Sequence, residues 1–138
     1  MRFMLLMIPK GYASAAPGTM PDPAHVAAMM KFNEEMTRAG VLISLDGLHP
    51  PAAGARVSFA GGKPEVKHGP FPEAGEALGG YWMIRVDSKD EAISWAMRCP
   101  ALGSEVIEVR QVHEMADFPA EIQAEIQKSH VSAGPESS

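Results

Sequence analysis

A chain of 138 residues is long enough for one hydrophobic core and too short for two, and its 46% hydrophobic and 21% charged residues are an ordinary globular balance. Twelve basic against 17 acidic residues leave a net charge of −5, and the basic residues are scattered. That excludes the clustered Lys/Arg surface that nucleic acid or an anionic membrane would need.

The chain opens on RFMLLMI, an apolar run closed by Pro9. The run is too short to span a bilayer or to form the apolar core of a signal peptide. It reads as a central strand covered on both faces. A loop rich in Gly, Pro, Ala and Ser follows, and then a helix with its punctuation visible. Asp22 caps it, Pro23 takes the first helical position and Gly40 closes it. His25, Met29, Phe32, Met36 and Ala39 recur at helical spacing as its apolar stripe, widened by Val26 and Met30.

VLISLDGL is a second strand, with Ile43 and Leu45 on one face and Ser44, Asp46 and Leu48 on the other. HPPAAG ends it. ARVSFAGGKPEVKH has the pattern of a hairpin turning at AGGK. VKHGPFPEA then leads to YWMIRVD, a strand whose Trp82, Ile84 and Val86 share one face and Tyr81, Met83 and Arg85 the other. SKDEAISWAMRC is the second helix, opened by a Ser88/Glu91 capping box and stopped at Pro100, with Ala92, Ile93, Trp95, Ala96 and Cys99 on its buried side. In the last main strand, SEVIEVRQV, Ile107 and Val109 oppose Val106, Glu108, Arg110 and Val112. The segment 119–138 is set apart from a domain over 1–118: a short amphipathic helix marked by Ile122 and Ile126, then the polar tail HVSAGPESS.

The order β-α-β, hairpin, β-α-β predicts an α+β fold of the ferredoxin-like split type, an antiparallel sheet with two helices on one face. The other face mixes Ser44, Asp46, Arg85, Glu108 and Arg110 with Leu48, Met83, Val106 and Val112. A half-apolar face of this kind suits cover by a second copy, so a homodimer is expected, its two sheets meeting around a cleft for a small organic molecule. No nucleic-acid or membrane partner is expected. A single cysteine, Cys99, rules out an intrachain disulfide and makes a reducing cytoplasm the expected compartment.

Two constellations carry candidate chemistry. Asp46 and His49 stand three apart at a strand end, where a carboxylate can orient an imidazole as a general base near neutral pH. The competing reading makes Asp46 a local cap and His49 a solvated turn residue. His68 and Glu73 flank Gly69, Pro70 and Phe71, a loop that either presents the two side chains to a ligand or is only a stiff turn anchored by Phe71. Arg56, Tyr81, Arg85 and Arg110 join Phe71 and Glu73 as candidate ligand contacts, an arginine suiting a carboxylate or phosphate. The competing reading makes Arg56, Arg85, Glu108 and Arg110 an ion-pair network at the interface between subunits. His25 reads as a half-buried stripe or rim residue, and Cys99 as a small hydrophobe. No metal-ligand spacing, phosphate loop or nucleophile elbow is present, and no cofactor is expected.

RFMLLMI, FNEEMTRAGVLISLDGLHP, GARVSF, HGPFPEA, LGGYWMIRVDSKDEAISWAMRCP and IEVRQVHEM, in that order from Arg2 to about Phe118, resemble the YCII-related family, in particular its DGPF branch. The Gly69-Pro70-Phe71 block is the most specific part. The resemblance implies a ferredoxin-like fold dimerising into an α/β barrel, and a His/Asp pair in a cleft. The first position of the Asp-Gly-Pro-Phe signature is His68 here, so a carboxylate role at that position is replaced by an imidazole or lost.

Overall fold

The structure, a computed structural model, describes residues 1–128. Its strands are β1 (Arg2–Ile8), β2 (Leu42–Gly47), β3 (Ala55–Ser58), β4 (Glu65–His68), β5 (Gly80–Arg85) and β6 (Val106–Gln111). Its α-helices are α1 (Pro23–Arg38), α2 (Lys89–Met97) and α3 (Ala120–Lys128). Four strands form an antiparallel sheet in the order β2-β5-β1-β6, and β3 and β4 pair separately as a hairpin. This is the ferredoxin-like order with the hairpin inserted between its halves. The polar tail expected beyond α3, with His130, lies outside the described residues.

Alternation builds the core. Phe3, Leu5 and Met7 of β1 are buried and meet Trp82 and Ile84 of β5, with Val86 just beyond it. Phe32 and Met36 of α1 and Ala92 of α2 close over the same sheet face. Phe32 meets Trp82 edge to face at 5.5 Å between centroids. The Trp82 Nε1–H donates to Asn33 Oδ1 at 2.7 Å, which satisfies the indole inside the core. The other side chains of β1, at Met4, Leu6 and Ile8, are only half-buried. The run that reads as covered on both faces is thus covered on one in the single chain.

The caps fall as the sequence predicts, with one variation. Asp22 Oδ2 accepts from the N–H groups of Ala24 and His25, Pro23 opens α1, and Gly40 takes a left-handed φ of 76° after the helix ends. Ser88 Oγ accepts from Glu91 N–H, but the Glu91 carboxylate reaches back to the N–H of Asp87 rather than of Ser88.

Two face assignments are corrected. Val26 and Met30 are exposed, because each lies one residue, about 100°, around α1 from the stripe that meets the sheet. In β2 the pairing slips: Leu42 faces Ile84 while Ser44 faces Met83, so Ile43 is the extra residue of a bulge. Leu42 and Leu45 therefore share the core side, and Ile43 is 45% exposed.

The bulge sets a contrast that equilibrium urea unfolding can measure. Ile84→Ala, in the closed core, lowers stability by about 2–5 kcal/mol. Ile43→Ala costs no more than about 0.5 kcal/mol, as for other surface sites. Equal losses would contradict the register.

Candidate functional site

A cavity of about 500 Å³ opens where β1 and β2 end. Its walls are Met7 and Pro9 from the end of β1, Gly47 to His49 from the end of β2, Asp22, His25 and Met29 from the start of α1, and Leu102 and Glu105 from the loop before β6. Pro9 has no N–H and cannot extend the ladder, so the chain leaves the sheet there. The break is tied off by backbone bonds from Gly79 N–H to the Met7 carbonyl at 2.8 Å and from Leu48 N–H to the Gly79 carbonyl at 2.9 Å. Glycine is required at 79, because a Cβ would lie 2.6 Å from Pro9 Cγ. The Tyr12 hydroxyl donates to the Leu48 carbonyl at 2.6 Å and fixes the loop after β1 against the end of β2. Partial burial raises the Tyr12 pKa, so the hydroxyl keeps its proton as a donor.

The walls are largely apolar, with Met7, Met20 and Met29 prominent, and His25 and Glu105 form a close polar pair among them. His25 Nε2 lies 3.8 Å from Glu105 Oε2, with only 15% and 8% of the two side chains exposed. Glu105 Oε1 accepts the Leu102 N–H at 2.7 Å, which folds the loop around the carboxylate. The Cys99 thiol sits nearby, 3.9 Å from Met29 Sδ. Burial first, and the Glu105 charge second, push its pKa up to about 11, so it stays a neutral thiol at physiological pH.

The structure separates the residues singled out by sequence. His49 lines this cavity and also a smaller one of about 340 Å³ that includes Pro50, Arg56 and Phe71. Asp46 faces Tyr81 across the β2–β5 pair and accepts the Tyr81 hydroxyl at 2.9 Å. Its carboxylate is thus engaged on the open sheet face, and among the described residues no hydrogen bond joins it to His49. His68 pairs with Ala55 in the exposed hairpin and lines neither cavity. Glu73 is bound by Lys67 Nζ at 2.7 Å, a hydrogen bond that holds its pKa below the usual carboxylate range.

Phe71 is buried, and the Arg56 guanidinium lies over its ring at 4.4 Å, so the loop is anchored as its sequence suggests. Arg110 pairs with Glu108 of its own strand at 2.9 Å, both exposed. Arg85 stands opposite Arg2, where Glu114 binds Arg2 through two hydrogen bonds of 2.8 and 3.1 Å. Those bonds are the main reason the Glu114 carboxyl titrates below its usual range, with Arg85 adding to the effect. Among the described residues no group of three or more His, Cys, Asp or Glu side chains is placed to hold a metal ion.

Sequence reasoning missed Glu105 altogether and gave His25 no chemical role. The one available signal was an imidazole at the start of a helical stripe. Nothing local ties it to a carboxylate on the far side of α2.

A comparison with curated proteins finds no match. The YCII-related domain matches residues 1–116, which takes in the whole four-stranded sheet, α1, α2 and every wall of the cavity. On that match the chain belongs to the YCII-related domain family.

Proposed function

We propose that this protein binds a small organic molecule in the cavity at the ends of β1 and β2 and moves a proton on it through His49, working as a homodimer. The cavity itself carries the reading. Its roughly 500 Å³ falls in the range of small-molecule sites, and an apolar lining with a few convergent polar groups is what such sites require. His49 stands at the junction of the two cavities and is exposed, so its ring meets both a bound molecule and solvent. Asp46, three residues before it, and His68, in the signature loop of the DGPF branch, are the groups to substitute beside it.

The open sheet face supports the dimer. Met4, Leu6, Ile8 and Met83 are half-buried there and Val106 is 53% exposed, beside Asp46, Arg85, Glu108 and Arg110. A second copy would cover the apolar centre and bring the charges together at its rim. The reducing cytoplasm fits a lone neutral thiol. Among the described residues no helix is long and apolar enough to cross a membrane.

A second reading, a ligand-sensing module without turnover, is favoured by one observation. The Asp46 carboxylate is committed to Tyr81, so it does not orient His49 in the free chain.

Incubating the purified protein with a panel of small organic molecules, followed by NMR, separates the two readings. Turnover that falls by about 10²-fold or more in His49→Ala supports acid–base chemistry. Binding with every ligand recovered unchanged supports the sensor. Absence of any binding contradicts both.

Light scattering on the eluting protein tests the dimer. The expected mass is twice the 14.8 kDa of one chain, falling to one chain in Met83→Asp with the circular dichroism unchanged. A monomeric parent protein would contradict the sheet-to-sheet assembly.

A further inference from the structure

We propose that the cavity selects a small organic cation, a protonated amine on an apolar body, and that Glu105 is the group that receives it. The inference rests on the small-molecule reading of the cavity and adds the class of ligand.

Charge is the first support. Asp22, His25, His49 and Glu105 are the titratable groups of these walls besides Tyr12, and no lysine or arginine lines them among the described residues. A carboxylate or phosphate would enter beside two carboxylates without a guanidinium or ammonium to receive it, and like charges at close range are rejected. Asp22 is exposed to solvent and its Oδ2 is engaged by two backbone N–H groups at the start of α1, so it is the weaker of the two acceptors.

Glu105 supplies the second support. Its side chain is 8% exposed, and a carboxylate so enclosed needs hydrogen bonds or a counter-charge. Oε1 has the Leu102 N–H. Oε2 stands 3.8 Å from His25 Nε2, beyond hydrogen-bonding distance, and the histidine carries a charge only when protonated. This oxygen is left with capacity for a donor arriving from the cavity. An ammonium N–H there makes a charge-assisted bond to an enclosed carboxylate.

The walls fit the rest of such a molecule. Met7, Met20, Met29, Leu48 and Leu102 share the walls with the polar groups, and thioether side chains adapt to irregular apolar shapes. The arginines, which would attract anions, lie outside: Arg98 pairs with Glu35 and stacks on Trp95, and Arg56 lies over Phe71 in the smaller cavity.

Isothermal titration of the full chain with 2-phenylethylamine, 2-phenylethanol and 3-phenylpropanoate tests the class with the apolar body held nearly constant. The amine is expected to bind at least tenfold more tightly than the alcohol, and the carboxylate not to bind. Glu105→Gln retains a carbonyl oxygen for the Leu102 N–H and is expected to bring the amine down to the level of the alcohol, whose affinity is unchanged. Leu102→Trp, at a position 70% exposed, narrows the mouth and is expected to weaken amine and alcohol alike without unfolding the chain. Preference for the carboxylate, or an amine preference that survives Glu105→Gln, overturns the inference while leaving the cavity a binding site. Failure of all three probes to bind overturns the cavity reading and the inference with it.

Discussion

The core of the sheet and the two helices that cover it are organised around β1. The strand is hydrogen-bonded on both edges, by β5 and by β6, and its alternate residues Phe3, Leu5 and Met7 form the floor on which α1 and α2 rest. At its start the Arg2–Glu114 pair ties it to the chain leaving β6, and Val112 N–H donates to the Arg2 carbonyl. At its end Pro9 forces the backbone out of the sheet. The cavity occupies the space this departure leaves, between the end of the sheet, the first turn of α1 and the loop before β6. The site is therefore a consequence of where the central strand must stop.

The distribution of charge gives this space its character. No lysine or arginine lines the cavity among the described residues, and several basic side chains elsewhere are held in pairs such as Lys67–Glu73, Arg98–Glu35 and Arg110–Glu108. These pairs are exposed and add little to stability. The His25–Glu105 pair differs in being enclosed, and enclosed charges are costly to keep. On the proposed reading, a fold that keeps one beside a cavity offers a small ligand one oriented acceptor. The neutral Cys99 thiol packs behind this wall, against Met29, as a small apolar group.

The architecture was legible because its signals are local. Asp22-Pro23 and Ser88 mark helix starts, AGGK marks a hairpin turn, and the alternation in YWMIRVD separates a core face from an open one. The bulge at Ile43 was not legible, since a one-residue slip is set by pairing with β5 rather than by the β2 sequence alone. The site was legible only in part. His49 follows from its place at a strand end, but the Asp46–Tyr81 bond depends on cross-strand register, and the approach of Glu105 to His25 depends on how the loop after α2 folds back over α1. Both are long-range contacts of the kind that a single sequence does not encode in its spacing.

The central claim, that the cavity at the end of β1 is the binding site, is tested most directly by the methionines. Protein labelled with 13C at the methionine methyl groups reports on ten positions, of which Met7, Met20 and Met29 line the cavity, while Met97 on α2 and Met115 beyond β6 lie away from it. Titration with 2-phenylethylamine is predicted to shift the Met7, Met20 and Met29 signals together along one saturable curve and to leave Met97 and Met115 unmoved. Saturable shifts at Met97 or Met115 with the three cavity signals unchanged would contradict the account.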